Sequence, residues 1–412
     1  MSKQAKGKLT SLKQLKVAYL QQMFPQAGEK VPRVRFDGFT GDWKVRKLGD
    51  IGKTQSGIGF PEVEQGGKEG VPFFKVSDMN NSGNENEMVY ANNYVTQEQI
   101  TDKRWKPIDD VPAVIFAKVG AAIMLNRKRL VKVPFLIDNN TMAYLFDTSW
   151  DASYGKTLFD TLNLPQYAQI GALPSYNGSD IESIEVWVPD KAEQAAIGSF
   201  FRALDSIIAY NQRKVTSLKQ LKSAYLQQMF PQAGEKAPRV RFSGFLEDWE
   251  VKHLGELVTQ VVREVPKPDK PYKRLSIRSH AKGTFHQFVE EPEKVAMDKL
   301  YIVYENDLIV NITFAWEHAI AVASEEDSGL LVSHRFPTFE ISEADVDFIR
   351  ILITQEEFRK KMELISPGGA GRNRVLSKRD FVKIPLVVPS INEQIAIGTF
   401  FHTFDKLIES HS

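Results

Sequence analysis

Four cationic side chains lie close together in one short segment of the second half of the chain. The run LSIRSHAKG contains Arg278, His280 and Lys282 at alternating positions, and Arg274 lies just upstream. Alternate residues of an extended segment point to the same side, so we expect these three cations on one face. Such an array can bind phosphates and the acceptor atoms of guanine edges. The segment therefore predicts a nucleic-acid contact, and a solvated basic loop is the alternative.

A second cationic segment, the loop PGGAGRNRVLSKRD, follows further along the chain. It contains Arg372, Asn373 and Arg374 among glycines that allow the backbone to approach a ligand closely. Amides suit adenine and guanidinium groups suit guanine, so this loop is a second predicted contact. The other predicted contact residues of this half are Asn311, His334 and Arg335.

The first half of the chain has different polar side chains at the corresponding places. A pair of asparagines stands where a His-Arg pair stands in the second half, and the run RKR at 127–129 forms a basic tip suited to phosphates. Because the two sets differ in chemistry, we expect the two halves to recognise different sequences. The predicted contact residues of this half are Lys53, Gln55, Ser56, Lys75, Ser77, Lys118, Arg127, Lys128, Asn139, Asn140, Tyr176 and Asn177.

Residue patterns typical of catalysis are weak, and we predict no catalytic, cofactor-binding or metal-binding residue. The glycine run at 368–371 lacks the GK[ST] of a phosphate-binding loop, and no FPP- or NPPY-type methyltransferase motif occurs. All seven histidines lie from His253 onward, so no histidine pair can be repeated in both halves. Asp180 and Asp380 could form a carboxylate dyad, but they directly precede the last predicted strands, which favours turn or capping roles. The chain alone should neither methylate nor cleave DNA.

These candidate residues are set in a frame that occurs twice. Ser11–Ile51 recurs 206 residues later at Ser217–Leu257, with 31 of 41 aligned positions identical, and Val188–Asp205 is echoed at Val388–Asp405. The stretches between the repeats, roughly 52–187 and 258–387, align poorly with each other. A repeated frame with two different inserts is expected of a protein that reads two different targets by one mechanism.

The order of the repeated elements predicts a circular arrangement. In the middle of the chain the second element runs directly into the first, whereas at the two ends the same unit is split. The break can be placed, because residues 409–412 align with 209–212, and residues 8–10 align with 214–216. If the two ends meet in space, the molecule is a closed ring of two halves related by a pseudo-two-fold axis.

Long helices are predicted for the repeated elements. Between Lys191 and Met229 apolar residues recur every three or four positions, which is the spacing of a coiled-coil seam. Asn211 falls in this seam, where a buried amide would fix the register of an antiparallel pair; a solvated irregularity is the alternative. A helix of this span is about 57 Å long and would act as a spacer, and Pro231 should end it.

Each insert has a mixed pattern of short apolar runs and one later helical stretch. The runs at 111–120, 306–316 and 330–341 predict strands, and residues 153–170 and 343–365 predict helix. The predicted fold class is α+β: two α+β domains separated by long antiparallel coiled-coil helices, with a pseudo-two-fold internal repeat.

Composition is that of an ordinary globular chain. Of the 412 residues, 42% are hydrophobic and 25% charged, and the net charge of +1 gives no overall attraction to a polyanion. Any nucleic-acid surface must therefore be local. The chain has no cysteine and no apolar run that approaches the roughly 18 residues of a membrane span, so we expect a cytoplasmic protein without a membrane partner.

The arrangement resembles the DNA-specificity subunit of type I restriction-modification systems, from about Lys8 to the end of the chain. The motifs that carry the resemblance are DW…LG at 42–49 and 248–255, the pattern P…EQxAIGxFF at 189–201 and 389–401, and the helix end LKxAYLQQMFP. In that family, each insert is a target-recognition domain that reads one half of a bipartite asymmetric site. The repeated helices set the gap between the halves and dock the methyltransferase subunits.

The resemblance implies a division into five segments. These are an N-terminal conserved helical part at 1–41, target-recognition domains at 42–187 and 247–387, a central helical spacer at 188–246 and a C-terminal helix at 388–412. It further implies double-stranded DNA, two methyltransferase subunits and two restriction-translocase subunits as partners. S-adenosylmethionine, ATP and Mg²⁺ would be bound by those partners and not by this chain.

Two other classes of function stay open on the residues alone. One is a duplicated enzyme with an active site on the pseudo-two-fold axis, which requires polar groups converging between the helices. The other is a helical scaffold with two protein-binding modules, which predicts acidic or apolar insert faces and no salt-dependent affinity for DNA.

Overall fold

The computed structural model describes residues 7–26, 28–169, 173–232, 234–366 and 375–412. The chain divides into two compact units, one formed by Met1–Lys214 with His411–Ser412 and the other by Val215–Ser410. Both units contain helices and antiparallel sheets, so the predicted mixed α and β character and the two-domain layout are confirmed. Among the described residues, no helix combines the length and the apolar character needed to cross a bilayer.

The first unit contains a four-stranded sheet of order β2-β8-β5-β6, a three-stranded sheet of order β4-β3-β7, and the pair β1-β9. Its strands are β1 (Lys44–Lys47), β2 (Gly52–Ser56), β3 (Val71–Phe74), β4 (Tyr94–Val95), β5 (Ala113–Ala117), β6 (Lys128–Val131), β7 (Leu136–Ile137), β8 (Thr141–Phe146) and β9 (Glu185–Val188). Its helices are α1 (Lys8–Gln22), α2 (Gln97–Asp102), α3 (Ala152–Thr161), α4 (Gly178–Glu182) and the first part of α5 (Lys191–Gln228).

The second unit contains a four-stranded sheet of order β11-β19-β16-β17, a five-stranded sheet of order β12-β15-β18-β13-β14, and the pair β10-β20. Its strands are β10 (Glu250–His253), β11 (Val258–Val261), β12 (Glu264–Pro266), β13 (Tyr272–Ile277), β14 (Thr284–Val289), β15 (Lys299–Ile302), β16 (Leu308–Val310), β17 (Ile320–Val322), β18 (Leu331–Val332), β19 (Thr338–Ile341) and β20 (Pro385–Val388). Its helices, besides the rest of α5, are α6 (Val346–Leu352), α7 (Glu356–Ile365), α8 (Lys378–Val382) and α9 (Ile391–His411).

Regular elements follow the sequence pattern where the apolar period is long, and depart from it near turns. The predicted long helix is confirmed by α5, which ends before Pro231. The strand predicted at 306–316 ends at Val310, and the one predicted at 330–341 is split into β18 and β19. The helix predicted at 343–365 is likewise split, into α6 and α7. In each case the chain turns at residues that the apolar pattern alone predicts to continue one strand or helix.

The extended conformation predicted for Arg278–Lys282 is wrong. Strand β13 ends at Ile277 and pairs with β14 from Thr284, so the residues between them must reverse the chain. His280 and Ala281 take positive φ angles of 62° and 49° to do so. The cations therefore lie on a hairpin turn and not along one face of a strand.

The repeated motifs meet at an aromatic anchor in each unit. Phe24, which lies two residues after the end of α1, packs edge-on against Trp43 at 6.0 Å and stacks on Tyr154 of α3 at 5.7 Å between ring centroids. Phe201 from α5 lies against the ring of Phe24, with 6.2 Å between ring centroids. The equivalent cluster of the second unit is formed by Phe230, Trp249, Phe348 and Phe401. The motif aromatics thus join the frame to its insert.

The EQxAIG motif docks α5 on the start of α3. Gln194 accepts a hydrogen bond from the backbone N–H of Asp151 at 2.9 Å, and Asp151 caps α3 by accepting from the N–H of Tyr154 at 2.9 Å. A Cβ on Gly198 would lie 2.5 Å from the Asp151 carboxylate, so a side chain there would push the two helices apart. Gln394, Asp345, Phe348 and Gly398 repeat these contacts in the second unit.

Each unit contains an antiparallel pair of frame helices. In the first, Tyr19 of α1 packs on Phe200 of α5 with 5.1 Å between ring centroids, and Lys16 forms an ion pair with Asp205 at 2.6 Å. Residue numbers fall along α1 as they rise along α5, which defines the antiparallel direction. The second unit joins α5 and α9 through Tyr225 with Phe400 and Lys222 with Asp405.

Two further expectations concern the frame of the first unit. Asn211 is buried at 2% exposure, and its side-chain amide donates to the carbonyl of Ile207 at 2.7 Å, so it is not a solvated irregularity. The backbone N–H and the hydroxyl of Thr10 both donate to the carbonyl of Ser412, at 3.0 Å and 2.8 Å. The residues that the repeat alignment places next to each other are therefore in contact.

Candidate nucleic-acid interface

Several predicted residues of the first unit converge at one end of the sheet formed by β2, β8 and β5. The ammonium group of Lys118 donates to the hydroxyl of Ser56 at 3.0 Å, and the backbone N–H of Lys118 donates to the carbonyl of Asn140 at 2.7 Å. The carbonyl of Lys118 accepts from the N–H of Tyr176, which brings the exposed Asn177 to the same edge. The sheet register thus assembles a cation, a hydroxyl and two amides.

The end of β3 adds a second group of polar residues to this edge. The carbonyl of Phe74 accepts from the N–H of Asp138 at 3.1 Å, so Lys75 and the exposed Asn139 follow from neighbouring strands. Lys75 donates to Gln65 at 3.2 Å, and Ser77 is exposed one turn further on. We call the exposed and half-exposed members of these two groups, together with Gln55 next to Ser56 on β2, the first-unit polar edge: Gln55, Ser56, Lys75, Ser77, Lys118, Asn139, Asn140 and Asn177.

Lys53 and Arg127 have partners outside the first-unit polar edge. Lys53 lies one residue from the other end of β2 and forms an exposed ion pair with Asp110 at 2.8 Å. The guanidinium of Arg127 donates to the side chain of Asn80. Both remain partly or fully exposed, as phosphate contacts require.

Tyr176 and Lys128 are not available at the surface, which corrects two predicted contacts. Tyr176 is 1% exposed and packs edge-on against Phe116 with 6.3 Å between ring centroids. Lys128 is 3% exposed, and its ammonium group donates to the carbonyl of Leu162 at 2.6 Å. Both residues have polar neighbours in the sequence, which predicted that they are exposed. In the structure the side chain of each points inward, and its apolar atoms are buried.

Burial gives Lys128 a pH signature that identifies its structural role. Loss of hydration lowers the pKa of Lys128 from 10.5 to about 8. Between pH 8 and pH 10.5, Lys128 is protonated in the unfolded chain and mostly deprotonated in the folded chain. The free energy of unfolding should therefore increase as pH rises from about 8 toward 10.5. We expect Lys128→Met to lose this gain, measured as the difference in melting temperature between the two proteins across that range.

The same variant separates a buried lysine from a DNA contact. Lys128→Met should leave the salt dependence of DNA binding unchanged, whereas Lys118→Met, which removes a half-exposed cation, should reduce its slope by about one. A reduced slope in Lys128→Met would contradict the structural assignment.

Three of the predicted residues of the second unit line a cavity of about 460 Å³. They are Arg274, Asn311 and Arg335. Arg274 is exposed and donates to Gln287 on the paired strand at 2.7 Å, while Asn311 accepts from the N–H of Thr313 at 3.1 Å. Arg335 precedes β19, and its carbonyl accepts from the N–H of Ile312 at 3.0 Å. We call this space the second-unit cavity.

The basic hairpin lies beside that cavity. Its residues Arg278, His280 and Lys282 are exposed, and the guanidinium of Arg278 stacks over the ring of Phe285 at 5.3 Å. His334, next to Arg335, is also exposed. Arg372, Asn373 and Arg374 lie outside the described residues.

Sequence reasoning missed the turn that follows β16. Phe314 and Glu317 line the second-unit cavity, and Phe314 and Trp316 are 44% and 41% exposed. These residues were assigned to a strand because they continue an apolar run. The signal that could have found them is the sequence FAWEH itself, because two large aromatics followed by an acidic residue and a histidine do not alternate as a half-buried strand does.

Asp180 has the capping role that the sequence favoured. Its carboxylate accepts from the backbone N–H of Asn177 at 2.7 Å at the start of α4. In the second unit, Asp380 occupies the third position of α8, whose start is capped by Ser377.

Comparison with known proteins places this geometry in a family. The family model for the type I restriction modification DNA specificity domain matches residues 40–220 and 246–412, so the chain belongs to that family. Members provide specificity to type I restriction-modification systems and are not themselves catalytic, which excludes the duplicated-enzyme alternative.

Two similar proteins carry the corresponding descriptions. A protein of Methanocaldococcus jannaschii named as the specificity subunit of the type I restriction enzyme MjaX is 19% identical over 384 residues, which cover 89% of this chain and 88% of the relative. The crystal structure of a type I restriction-modification S subunit from M. genitalium matches with a TM-score of 0.55 at 12% identity, over 92% of this chain and 93% of that one. At this identity the structural likeness concerns the fold.

Proposed function

We propose that this chain recognises a bipartite, asymmetric DNA site, with one half read by each unit, as the specificity subunit of a type I restriction-modification complex. The observation that carries the proposal is that one repeated frame holds two chemically different polar surfaces. The first-unit polar edge is rich in amides and hydroxyls, whereas the second-unit cavity and its hairpin are rich in guanidinium groups. Different donor sets read different base edges.

The proposal also covers the arrangement of the frame. The target-recognition domains would occupy 42–187 and 247–387, with conserved helical segments at 1–41, 188–246 and 388–412. The equivalent helix contacts of the two units support an antiparallel coiled coil with a pseudo-two-fold repeat. In this arrangement the helices would set the gap between the two half-sites.

Two methyltransferase subunits and two restriction-translocase subunits would complete the complex on double-stranded DNA in the cytoplasm. They would supply the sites for S-adenosylmethionine, ATP and Mg²⁺. A partner that binds in two copies requires two equivalent surfaces. The frame offers a pair of exposed apolar residues on each helix pair: Leu15 and Ile207 in the first unit and Leu221 and Leu407 in the second, all 41–46% exposed.

Mapping of methylated adenines tests the function directly. DNA from cells that express this chain with its methyltransferase should carry one asymmetric motif of two specified halves separated by unspecified bases. A control expressing the methyltransferase alone should lack the motif. A single continuous motif, or a palindrome, would contradict recognition of two different halves by two units.

Lengthening the central helix tests its proposed role as the spacer. Four residues added after Gln212 of α5, about one helical turn, would extend a continuous helix by roughly 6 Å. At about 3.4 Å per nucleotide, the gap between half-sites should widen by one or two base pairs while both halves stay the same. The added turn also rotates one domain, so weaker binding is compatible with the proposal. A variant that folds and methylates DNA with the original gap would show that spacing is set elsewhere.

A further inference from the structure

Glu317 is an acidic residue on the wall of a cavity whose other charged groups are cationic. It lines the second-unit cavity together with Arg274 and Arg335, and the exposed hairpin cations lie beside it. A carboxylate repels the phosphates that such a surface would attract. Its place there is favourable if it accepts a hydrogen bond from a donor on the ligand.

The carboxylate is held in a fixed orientation by the hairpin. The hydroxyl of Ser279 donates to Glu317 Oε2 at 2.5 Å. The backbone of the same turn is joined to the hairpin twice, because the N–H of His280 donates to the carbonyl of Glu317 and the N–H of Ala281 to that of His318, both at 2.8 Å. The hairpin and the turn therefore form one platform.

His318 anchors this platform to the body of the unit. Its side chain is 3% exposed, its Nε2 lies 2.7 Å from the carbonyl of Ile353, and its backbone is left-handed with φ of 59°. Burial is the main cause that lowers the pKa of His318 below its ordinary value, so the ring is neutral at neutral pH. Glu317 is thus positioned by the fold before any ligand binds, which reduces the entropic cost of a contact.

We propose that Glu317 accepts a hydrogen bond from the exocyclic amino group of a base in the half-site that the second unit reads, with Ser279 as its positioning residue. The inference rests on the proposed function. In the major groove this donor is N4 of cytosine or N6 of adenine, and a carboxylate is a characteristic partner of cytosine N4. Arg274 and Arg335, on the same cavity wall, can take the guanine edges or phosphates nearby.

The test uses Glu317→Ala, Glu317→Gln and Ser279→Ala in the full chain with its methyltransferase. Glu317→Ala should relax one position of one half-site and weaken binding to the cognate duplex on the order of 10-fold to 100-fold. Binding to unrelated DNA at low salt should become tighter, because a negative charge is gone. A general loss of structure would weaken both.

The two other variants identify the base and the role of the hydroxyl. Glu317→Gln keeps the shape and can pair with adenine through its amide, so a cytosine-reading position should shift toward adenine, whereas an adenine-reading position should keep its base. Ser279→Ala should relax the same position more weakly, since the carboxylate is retained but less well oriented. Relaxation at a different position would contradict a positioning role for Ser279.

A matched variant separates this inference from the proposed interface. Arg278→Ala combined with Lys282→Ala should weaken binding to all sequences if the hairpin faces DNA. If this variant binds DNA as the unaltered chain does, the hairpin interface itself is wrong. If it binds weakly while both Glu317 variants retain the original methylated motif, the interface stands and the role of Glu317 is wrong. If Glu317→Ala does not fold, Glu317→Leu decides the matter, because leucine has a similar size and no hydrogen-bond acceptor.

Discussion

Replacing residues 52–187 with the corresponding insert of another family member is expected to change one half of the methylated motif completely and leave the other half unaltered. The physical reason is the way each insert is attached. Strand β1, which precedes the first insert, pairs antiparallel with β9, within which the insert ends, from Lys44 with Val188 to Lys47 with Glu185. We call this two-stranded pair the first clasp; β10 and β20 form the second clasp. A foreign insert that starts after β1 and ends within β9 meets the same backbone partners, because the two strands pair through main-chain groups.

The reciprocal exchange of residues 258–387 is the matched control, and it should change the other half-site. Methylated sequences in cells that carry each hybrid provide the measurement. Tyr154 belongs to the insert and packs against Phe24 of the frame. If a hybrid folds but methylates nothing, we would therefore restore this aromatic contact first and repeat the measurement. If one exchange altered both halves, the units would not read DNA independently.

Removal of the Glu193 carboxylate is expected to destabilise the first unit by about 3 kcal/mol or more. Glu193 is 1% exposed on its side chain and accepts two hydrogen bonds from Arg35, at 2.6 Å and 2.7 Å. Arg35 also donates to the carbonyl of Gly41, so the pair fastens the segment between α1 and β1 to the start of α5. Without the carboxylate, a largely buried guanidinium loses its counter-charge and its bidentate partner.

The second unit provides an internal replicate of this experiment. Arg241 donates to Glu393 at 2.7 Å and 2.8 Å, and the Glu393 side chain is again 1% exposed. Glu193→Ala and Glu393→Ala should therefore give similar losses, measured by denaturant unfolding with separate probes for each unit. Glu29→Ala, which removes the partly exposed partner of the exposed Arg33, serves as the control and should shift the unfolding transition much less. Equal stability of the Glu193 and control variants would contradict the importance of burial.

The frame was predictable from the sequence because its signals are repeated. Two copies of a motif define each other's limits, and α5 follows a long apolar period that only a helix satisfies. The motif letters themselves could not reveal that Gly198 is required by a close approach to Asp151. That reason lies in the packing of α5 against α3, whose residues come from the insert.

The candidate site was less predictable because its residues meet through loops and sheet register. Lys118 and Ser56 are joined by a hydrogen bond across two strands that are far apart in sequence. Interactions in the interior are equally hard to predict from sequence, as Asp160 shows. Burial raises the pKa of this carboxyl group, but Lys156 and Lys16 hold the pKa below its usual range. Lys16 is a frame residue 144 positions away. No local pattern indicates which distant cation neutralises a buried carboxylate.

The clasps also have a consequence for how such genes change over time. Because the two strands of a clasp lie at the borders of an insert, a crossover in the codons of the clasp exchanges a whole reading surface without altering the strand pairing around it. The 41-residue repeats before the two inserts, which match at 31 positions, give homologous recombination a template. New specificities would thus arise in single genetic events, as combinations of existing inserts, faster than by successive point mutations at a polar surface. A population of cells could therefore diversify what this subunit recognises while its partner proteins stay the same.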